Sequence, residues 1–413
     1  MKILFVTMDA MENNSSANIR NRGVVFGLTE LGHEVDTCSL EKSRDSINYD
    51  ESVKDVDNLV NDRFFVSSNP LYARFRTKKG EDSYKEERET RTGCLKDKCK
   101  KIIKTVISNI GVYDIQRINV VQAKKLKIDI SGYDVIISSS DPKSAHLLGY
   151  EMWKKAGGQV PWIQYWGDPM YDDITSNNGR IKGIQLKSEE KRLLKKASVI
   201  VYTSPFTLRR QQRLYPDVKD KMCYTVQACV TGEGNCDADQ NDSQKQGKEI
   251  VVGYFGNYLS SVRDLLPLFR AADSLKTQLR VCGDGENRLE STYIKYYPRL
   301  NSEDLEKIRE EVDVIVCVCN KKGTQIPGKI YYESGCQKPV IVIVDGEHQE
   351  KMKQFFDKFD RYIVCENRVD EIQNAILQAK KEIEQRRRYV IPPQMQPTTV
   401  ANKILKKFEE TMR

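Results

Sequence analysis

Residues 1–35 read MKILFVTMDAMENNSSANIRNRGVVFGLTELGHEV, and their pattern indicates the fold class of the chain. The short apolar run at residues 2–7 predicts a buried strand, and the polar and small residues at 9–18 predict a loop. Helical periodicity begins near Asn21 and ends at Leu31-Gly32, and His33-Glu34-Val35 opens a second strand. A strand, a loop, a helix and a strand in this order predict a parallel sheet covered by helices.

The same alternation continues along the chain and then restarts. Further strands are predicted at 134–138, 162–165, 197–203, 249–255, 278–282, 313–319 and 339–344, and helices at 144–155, 264–275, 302–310 and 327–336. The polar, aperiodic segment at 236–248 (CDADQNDSQKQGK) is typical of a linker. We therefore predict an α/β protein with two Rossmann-like, doubly wound domains, at 1–235 and 249–390, facing a cleft that binds a ligand.

Length and charge support this organisation. A chain of 413 residues is long for a single core and suits two domains. The net charge of +8 favours acidic partners such as phosphates. Residues 61–130 contain 17 lysines and arginines against 9 acidic residues, and we interpret residues 40–130 as a basic helical insertion in the first domain. No signal peptide or bilayer-spanning run is evident and the eleven cysteines fit reduced thiols, so we expect a cytoplasmic protein.

Three motifs in the second half suggest a phosphate site. Residues 323–329 (GTQIPGK) form a loop that leads into a helix started by Pro327, where an anion and Lys329 could meet; an ordinary capped helix with a solvated lysine is the alternative. The segment 253–257 (GYFGN) ends a strand, and Arg263 follows Gly256 by seven residues, so it could clamp a phosphate or simply lie on the surface. Residues 283–286 (GDGE) resemble only part of a dinucleotide fingerprint.

Two features of the first half suggest contact with a sugar. Trp166-Gly167-Asp168-Pro169 comes directly after a predicted strand, which puts an aromatic ring and a carboxylate at the carboxyl end of the sheet. A packed structural turn is the alternative. His146 lies at the start of a helix that follows a strand, so it could face the cleft. With three histidines in the chain, neither a catalytic triad nor a zinc site is predicted.

Taken in order, these segments resemble the nucleotide-sugar-dependent family 4 glycosyltransferases of the GT-B fold, and the residues of the first half resemble one bacterial subset of that family. The resemblance is carried by residues 1–35, by Ser144-Ala145-His146-Leu147 with 161–169, by 254–263 with 283–285, and by 327–340. It implies transfer of a sugar, with retention of configuration, from a nucleoside diphosphate to an acceptor hydroxyl. It also implies a C-terminal helix, within 391–413, that crosses back to the first domain.

The resemblance assigns roles to particular residues. Four are expected to be catalytic, with His146 and Asp168 on the acceptor and sugar side and Arg263 and Lys329 stabilising the leaving diphosphate. The expected donor-binding residues are Gly256, Asn257, Arg263, Gly283, Gly285, Thr324, Gln325, Ile326, Pro327, Gly328, Lys329 and Glu333. No metal and no cofactor is required by this design. The family carries a ribose-binding glutamate where this chain has Tyr332, and Glu333 stands one residue late, about 100° around a helix.

Two other functions stay open. A sugar-nucleotide 2-epimerase shares this architecture but needs acid and base carboxylates, and a non-catalytic scaffold would bind a nucleotide sugar without turnover. The expected partners are a nucleotide-sugar donor and a saccharide or lipid-linked acceptor of a surface polysaccharide or glycolipid pathway, and no nucleic acid.

A basic amphipathic segment at 98–110 suggests a further partner. Its apolar residues fall on one helical face: Cys99, Ile102, Ile103, Val106, Ile107 and Ile110. Its lysines flank that face: Lys98, Lys100, Lys101 and Lys104. Such a helix could lie on the anionic inner surface of a membrane and make the protein peripheral, or it could pack on its own sheet.

Overall fold

The computed structural model of the chain describes residues 1–42, 44, 49, 56–75, 111–174, 179–230, 249–300 and 302–413. The predicted linker at 236–248 and the predicted amphipathic segment at 98–110 lie outside the described residues. The chain divides into two compact units, Met1–Thr225 with Pro397–Arg413, and Val226–Gln396. The first domain therefore ends ten residues earlier than the predicted boundary at 235, and the C-terminal segment begins at 397 and not at the predicted 391.

The first unit is built on a sheet of seven parallel strands. In chain order they are β1 (Lys2–Val6), β2 (Glu34–Leu40), β3 (Arg63–Val66), β4 (Val135–Ser139), β5 (Trp162–Trp166), β6 (Val199–Tyr202) and β7 (Met222–Tyr224). Their spatial order is β3-β2-β1-β4-β5-β6-β7. The chain leaves β1 towards one edge and returns at β4 to build towards the other. Loops after β1 and β4 therefore border the point where such sheets bind ligands.

Helices cover this sheet. The α-helices of the first unit are α1 (Ser16–Glu30), α2 (Val56–Leu59), α3 (Pro70–Phe75), α4 (Ser144–Lys155), α5 (Arg180–Lys196), α6 (Pro205–Leu214) and α12 (Pro397–Met412). Two 3-10 helices span Ile115–Lys125 and Pro216–Lys221. The C-terminal helix α12 packs against α1. Gly27 permits this approach, because a Cβ there would overlap the carbonyl of Pro397.

The second unit contains a parallel sheet of six strands. They are β8 (Val251–Phe255), β9 (Gln278–Cys282), β10 (Ile294–Tyr297), β11 (Val314–Val318), β12 (Val340–Val344) and β13 (Tyr362–Glu366). The spatial order β10-β9-β8-β11-β12-β13 reverses between β8 and β11. Its α-helices are α7 (Leu266–Ser274), α8 (Ser302–Glu311), α9 (Lys329–Tyr332), α10 (Gln349–Phe356) and α11 (Val369–Glu384), with 3-10 turns at Glu333–Gly335, Asp357–Phe359 and Pro393–Met395.

The two sheets confirm the predicted α/β class with two Rossmann-like domains, and two local predictions need correction. The interpretation of 40–130 as helical is wrong for Arg63–Val66, which pairs with β2 as an edge strand. The helix predicted at 327–336 is shorter, with one turn at Lys329–Tyr332 followed by the 3-10 turn. The buried guanidinium of Arg361 stabilises this ending, because it donates hydrogen bonds to carbonyls of the 3-10 turn and of the residues that follow: Glu333, Ser334, Cys336 and Lys338.

Among the described residues, no helix combines the length and the apolar character that crossing a bilayer requires.

Candidate functional site

In the second unit, two glycines bring the loops after β8 and β9 into backbone contact. Gly256 and Gly283 have φ angles of 147° and 138°, a region that side chains with a Cβ rarely adopt. A Cβ on Gly283 would overlap the carbonyl of Gly256. The amide of Gly256 donates to the carbonyl of Cys282 at 2.7 Å. These glycines let the two loops approach closely at the carboxyl edge of the sheet, beside the reversal between β8 and β11.

Lys329 points at this backbone. It is the first residue of α9, and its ammonium donates to the carbonyl of Phe255, which directly precedes Gly256. A Cβ on Gly256 would overlap the lysine Nζ, so the glycine makes room for the charge. Burial is the main reason that the pKa of Lys329 falls to about 8; the positive charges of Arg263 and Arg309 act in the same direction, while Cys317 and Glu333 oppose the shift. The ammonium is therefore held in surroundings that an anion would improve.

Arg263 lies near Lys329 and is fixed by two asparagines. Its Nε donates to the side-chain oxygen of Asn320 at 2.9 Å, and its Nη1 donates to the carbonyl of Asn257 at 3.4 Å. Asn320 follows β11, so residues from both sides of the sheet reversal hold this guanidinium. The side chain of Asn257 also accepts the amide of Asp284 at 3.1 Å, which ties the β8 and β9 loops together. Both predicted phosphate-binding cations thus belong to one edge of one sheet.

The predicted loop 323–328 frames the same edge. Asn320 donates to the carbonyl of Gln325 at 3.3 Å, and the Gln325 side chain accepts the amide of Thr324 at 3.1 Å. Gln325 and Ile326 are buried, and Pro327 and Gly328 lead into α9. Gly285 serves a different purpose, because it lies against the ring of Tyr258, where a Cβ would overlap. The loop is shaped by internal hydrogen bonds, and α9 is too short to supply the helix-end anion site that the sequence suggests.

Glu333 is engaged by a partner that the sequence did not indicate. Its two carboxylate oxygens accept from the two terminal nitrogens of Arg309 on α8, at 2.8 and 2.7 Å. The glutamate is 2% exposed. This bidentate pair is buried, so the predicted ribose contact through Glu333 would require the pair to open.

In the first unit, Asp168 lies in a group of charges at the carboxyl edge of β4 and β5. The ammonium of Lys143 pairs with Asp141 and, at 3.3 Å, with Asp173. Burial, aided by the negative charge of Asp141, raises the pKa of Asp168 to about 6, while Lys143 opposes this shift. Three carboxylates thus surround one lysine beyond the ends of the strands.

Arg20 is a second buried cation near Asp168. Its guanidinium lies against Gly167, where a Cβ would overlap it, and over the ring of Tyr165 at 5.3 Å. The residue is 4% exposed, and its Nε and Nη2 have no hydrogen-bond partner within the described part of the chain. Its positive charge lowers the pKa of Asp168. Arg20 comes from α1, so a residue of the opening strand-loop-helix unit reaches the loop after β5.

The structure places His146 elsewhere than the sequence suggested. The imidazole is fully buried, with Nδ1 2.8 Å from the hydroxyl of Ser138 and its ring centroid 3.9 Å from that of Trp166. Burial lowers its pKa well below the usual value. His146 therefore belongs to the core of the first unit as a neutral ring, and this position corrects the expectation that it faces a binding cleft.

Several residues of these groups were missed from the sequence. Asn320 directly follows an apolar strand, and the reasoning that singled out Asp168 could have found it. Arg309, Arg20 and Lys143 carry no comparable signal, because their partners are distant in sequence or lie in irregular loops.

Comparison with solved structures supports the fold. A glycosyltransferase from Rickettsia africae superposes with a TM-score of 0.52, at 14% identity, covering 100% of this chain and 98% of that one. A lipopolysaccharide outer core galactosyltransferase gives 0.49 at 11% identity, covering 100% and 99%. A UDP-GlcNAc 2-epimerase from Methanocaldococcus jannaschii gives 0.48 at 11% identity, covering 99% and 100%. The sequence matches no protein-family model and has no significant match among curated proteins. The first of these structures shows a shared two-domain α/β fold.

Proposed function

We propose that this chain is a glycosyltransferase that moves a sugar from a nucleoside diphosphate to an acceptor hydroxyl. The observation that carries the proposal is the pair of cations, Lys329 and Arg263, beside the Gly256 backbone at the sheet reversal of the second unit. A glycine-lined edge with two cations suits a diphosphate, whose oxygens need close backbone approach and positive charge. The shared fold with a glycosyltransferase agrees with this chemistry without establishing it.

The two cations would act most strongly during the reaction itself. Negative charge builds on the diphosphate as the bond to the sugar breaks. Lys329 and Arg263 are already held in position, by the Phe255 carbonyl and by Asn320, so little reorganisation is needed when that charge develops. Because two side-chain cations neutralise the leaving group, we propose that no metal is required.

On the first unit, Asp168 is the residue we propose for the acceptor and sugar side. It lies at the carboxyl edge of β5 among Lys143, Asp141 and Asp173. Carboxylates at such an edge accept hydrogen bonds from sugar hydroxyls. Retention of configuration, a hexosyl donor and a surface polysaccharide or glycolipid acceptor follow from the sequence resemblance and belong to the proposal.

The test begins with a panel of nucleotide sugars screened by thermal shift, since a bound donor stabilises the folded chain. Transfer from the best ligand is then measured for Arg263→Ala and Lys329→Ala. Loss of one such donor group typically lowers kcat by about 10²–10³-fold. Arg270→Ala is the matched control, because Arg270 is an exposed arginine on α7 of the same unit and should leave the rate unchanged.

Four outcomes would count against the proposal. Near wild-type rates in both variants would remove the assigned role of the two cations. An isomerised nucleotide sugar formed without any acceptor would indicate an epimerase. Donor binding without hydrolysis or transfer to a range of acceptors would indicate a binding protein. Activity that is abolished by a chelator and restored by a divalent metal would contradict the metal-free mechanism.

A further inference from the structure

Helix α5 (Arg180–Lys196) has an outer face of unusual composition. Its inner face is formed by the buried residues Gly183, Leu186, Glu190, Leu193 and Leu194. The opposite face follows a spacing of three and four residues: Ile181, Ile184, Ser188, Lys191 and Lys195. Ile181 and Ile184 are 77% and 68% exposed, although isoleucine is usually buried. Over about 21 Å the stripe passes from two apolar side chains to two lysines and contains no carboxylate.

The helix also carries a strong positive charge. Seven of its 17 residues are lysine or arginine and two are glutamate. Both glutamates are occupied within the protein. Glu190 is buried and accepts from the hydroxyl of Tyr215 at 2.7 Å, while Glu189 pairs with Arg192 at 2.7 Å. On the outer stripe, Lys191 and Lys195 share Asp217, at 3.0 and 3.6 Å.

We infer that the outer face of α5 docks on an anionic phospholipid surface, with Ile181 and Ile184 entering the interface and the basic residues of the helix meeting the headgroups. Both the apolar end and the basic end of this face suit such a partner. The helix carries seven basic residues against Glu189, Glu190 and Asp217, so anionic headgroups complement the remaining positive charge. Hydrocarbon stabilises the two exposed isoleucines by removing them from water. A nucleic acid would satisfy the charges but would leave the isoleucines in water. This surface is distinct from residues 98–110 and does not depend on the sugar-transfer chemistry.

The experiment is co-flotation of the full chain with vesicles, at low and high salt. Vesicles of phosphatidylcholine alone are compared with vesicles that also contain phosphatidylglycerol. We expect binding to the anionic vesicles at low salt and a marked loss at high salt, because exposed charges are screened. Ile181→Ser/Ile184→Ser should lower the partition coefficient by at least about tenfold, since two buried isoleucines contribute that much or more.

Two further variants separate this surface from others. Leu377→Ser/Val390→Ser is the matched control, because these side chains of the second unit are 52% and 79% exposed and should not affect flotation. In the second variant, Lys98, Lys100, Lys101 and Lys104 are all replaced by glutamine. Far-ultraviolet circular dichroism and thermal unfolding check that each variant is folded, which is expected because the substituted side chains on α5 are exposed.

Any of four results would overturn the inference. The first is no flotation with anionic vesicles at low salt. The second is binding that survives in the isoleucine double variant but disappears in the four-lysine variant, which would assign the contact to 98–110. The third is an equal loss in the Leu377/Val390 control. The fourth is a dimer in solution that the isoleucine variant converts to monomer without any vesicle binding, which would assign the face to a second copy of the chain.

Discussion

Replacing Lys329 with methionine should make the protein more stable while it weakens donor binding. The ammonium of Lys329 lies at the Gly256 backbone with one carbonyl partner, and burial lowers its pKa from 10.5 to about 8. A base whose pKa is lower in the folded state than in the unfolded state destabilises the fold whenever it must be charged. Methionine keeps the length of the side chain and removes that charge.

The magnitude follows from the pKa difference. The pKa of Lys329 is about 2.5 lower in the folded state, and a pKa difference of one corresponds to about 1.36 kcal/mol, so the charged lysine destabilises the fold by roughly 3 kcal/mol. The variant also loses the hydrogen bond to the Phe255 carbonyl, which lowers its stability by about 1 kcal/mol. The net expectation is an increase of about 2 kcal/mol in the free energy of unfolding at pH 7, or several degrees in Tm.

The pH dependence gives a sharper test than the shift at a single pH. Below pH 8 the lysine is charged in both states, so its full destabilising contribution is present. Between pH 8 and 10.5 the folded state loses the proton first, and the contribution falls towards zero. Chemical denaturation of the wild type and of Lys329→Met across this range should therefore show that the advantage of the variant is largest near pH 7 and is absent or slightly reversed by pH 10.5.

A control variant and a binding measurement complete the experiment. Lys351→Met changes an exposed lysine on α10 and should leave stability unchanged at every pH. Calorimetry with the donor found by screening should show weaker binding to Lys329→Met. If Lys329→Met is no more stable than the wild type at pH 7, or if its advantage does not shrink as the pH rises, the account of Lys329 as a strained charge is refuted.

Two further predictions concern carboxylates. Glu333→Gln should destabilise the protein by about 3 kcal/mol, because it leaves the guanidinium of Arg309 without its bidentate partner. The uncharged double variant Arg309→Met/Glu333→Leu should lose much less stability, and chemical denaturation measures both changes. Transfer activity should fall as the pH drops below about 6, since Asp168 then gains a proton and loses its capacity as an ionised acceptor. Asp168→Asn should be slow throughout and lack this limb in a kcat/KM profile, and an unchanged profile would remove Asp168 from the site.

The sheet strands were predictable where apolar runs end at small or polar residues. The predicted strand at 278–282 coincides with β9 (Gln278–Cys282), and the predicted helix at 144–155 coincides with α4. Each has a period that the core imposes on the sequence. β3 and β7 were missed because they have four and three residues, too few for a period to appear. Helix α5 was missed because its many basic residues hide a narrow apolar stripe.

The site was predictable in one respect only. Gly256, Arg263 and Lys329 follow strands of the second sheet and Asp168 follows a strand of the first, and topology brings each to the carboxyl edge of its own sheet. Their electrostatic state was not readable, because it depends on partners that only the tertiary structure supplies. The buried position of His146 could not be predicted either, because the local sequence does not distinguish a core histidine at the start of a helix from one that faces a ligand.

The position of Glu333 follows from the register of its helix. A glutamate one residue later than the expected position points about 100° away around the axis, and here the helix ends at Tyr332 and the chain enters a 3-10 turn. The carboxylate meets Arg309, and the pair is neutral as a whole. A free carboxylate near Lys329 would oppose an incoming diphosphate and stabilise the lysine charge in its absence. With Glu333 held by Arg309, its effect on Lys329 is largely offset, and the positive charge of the edge remains available to an anion.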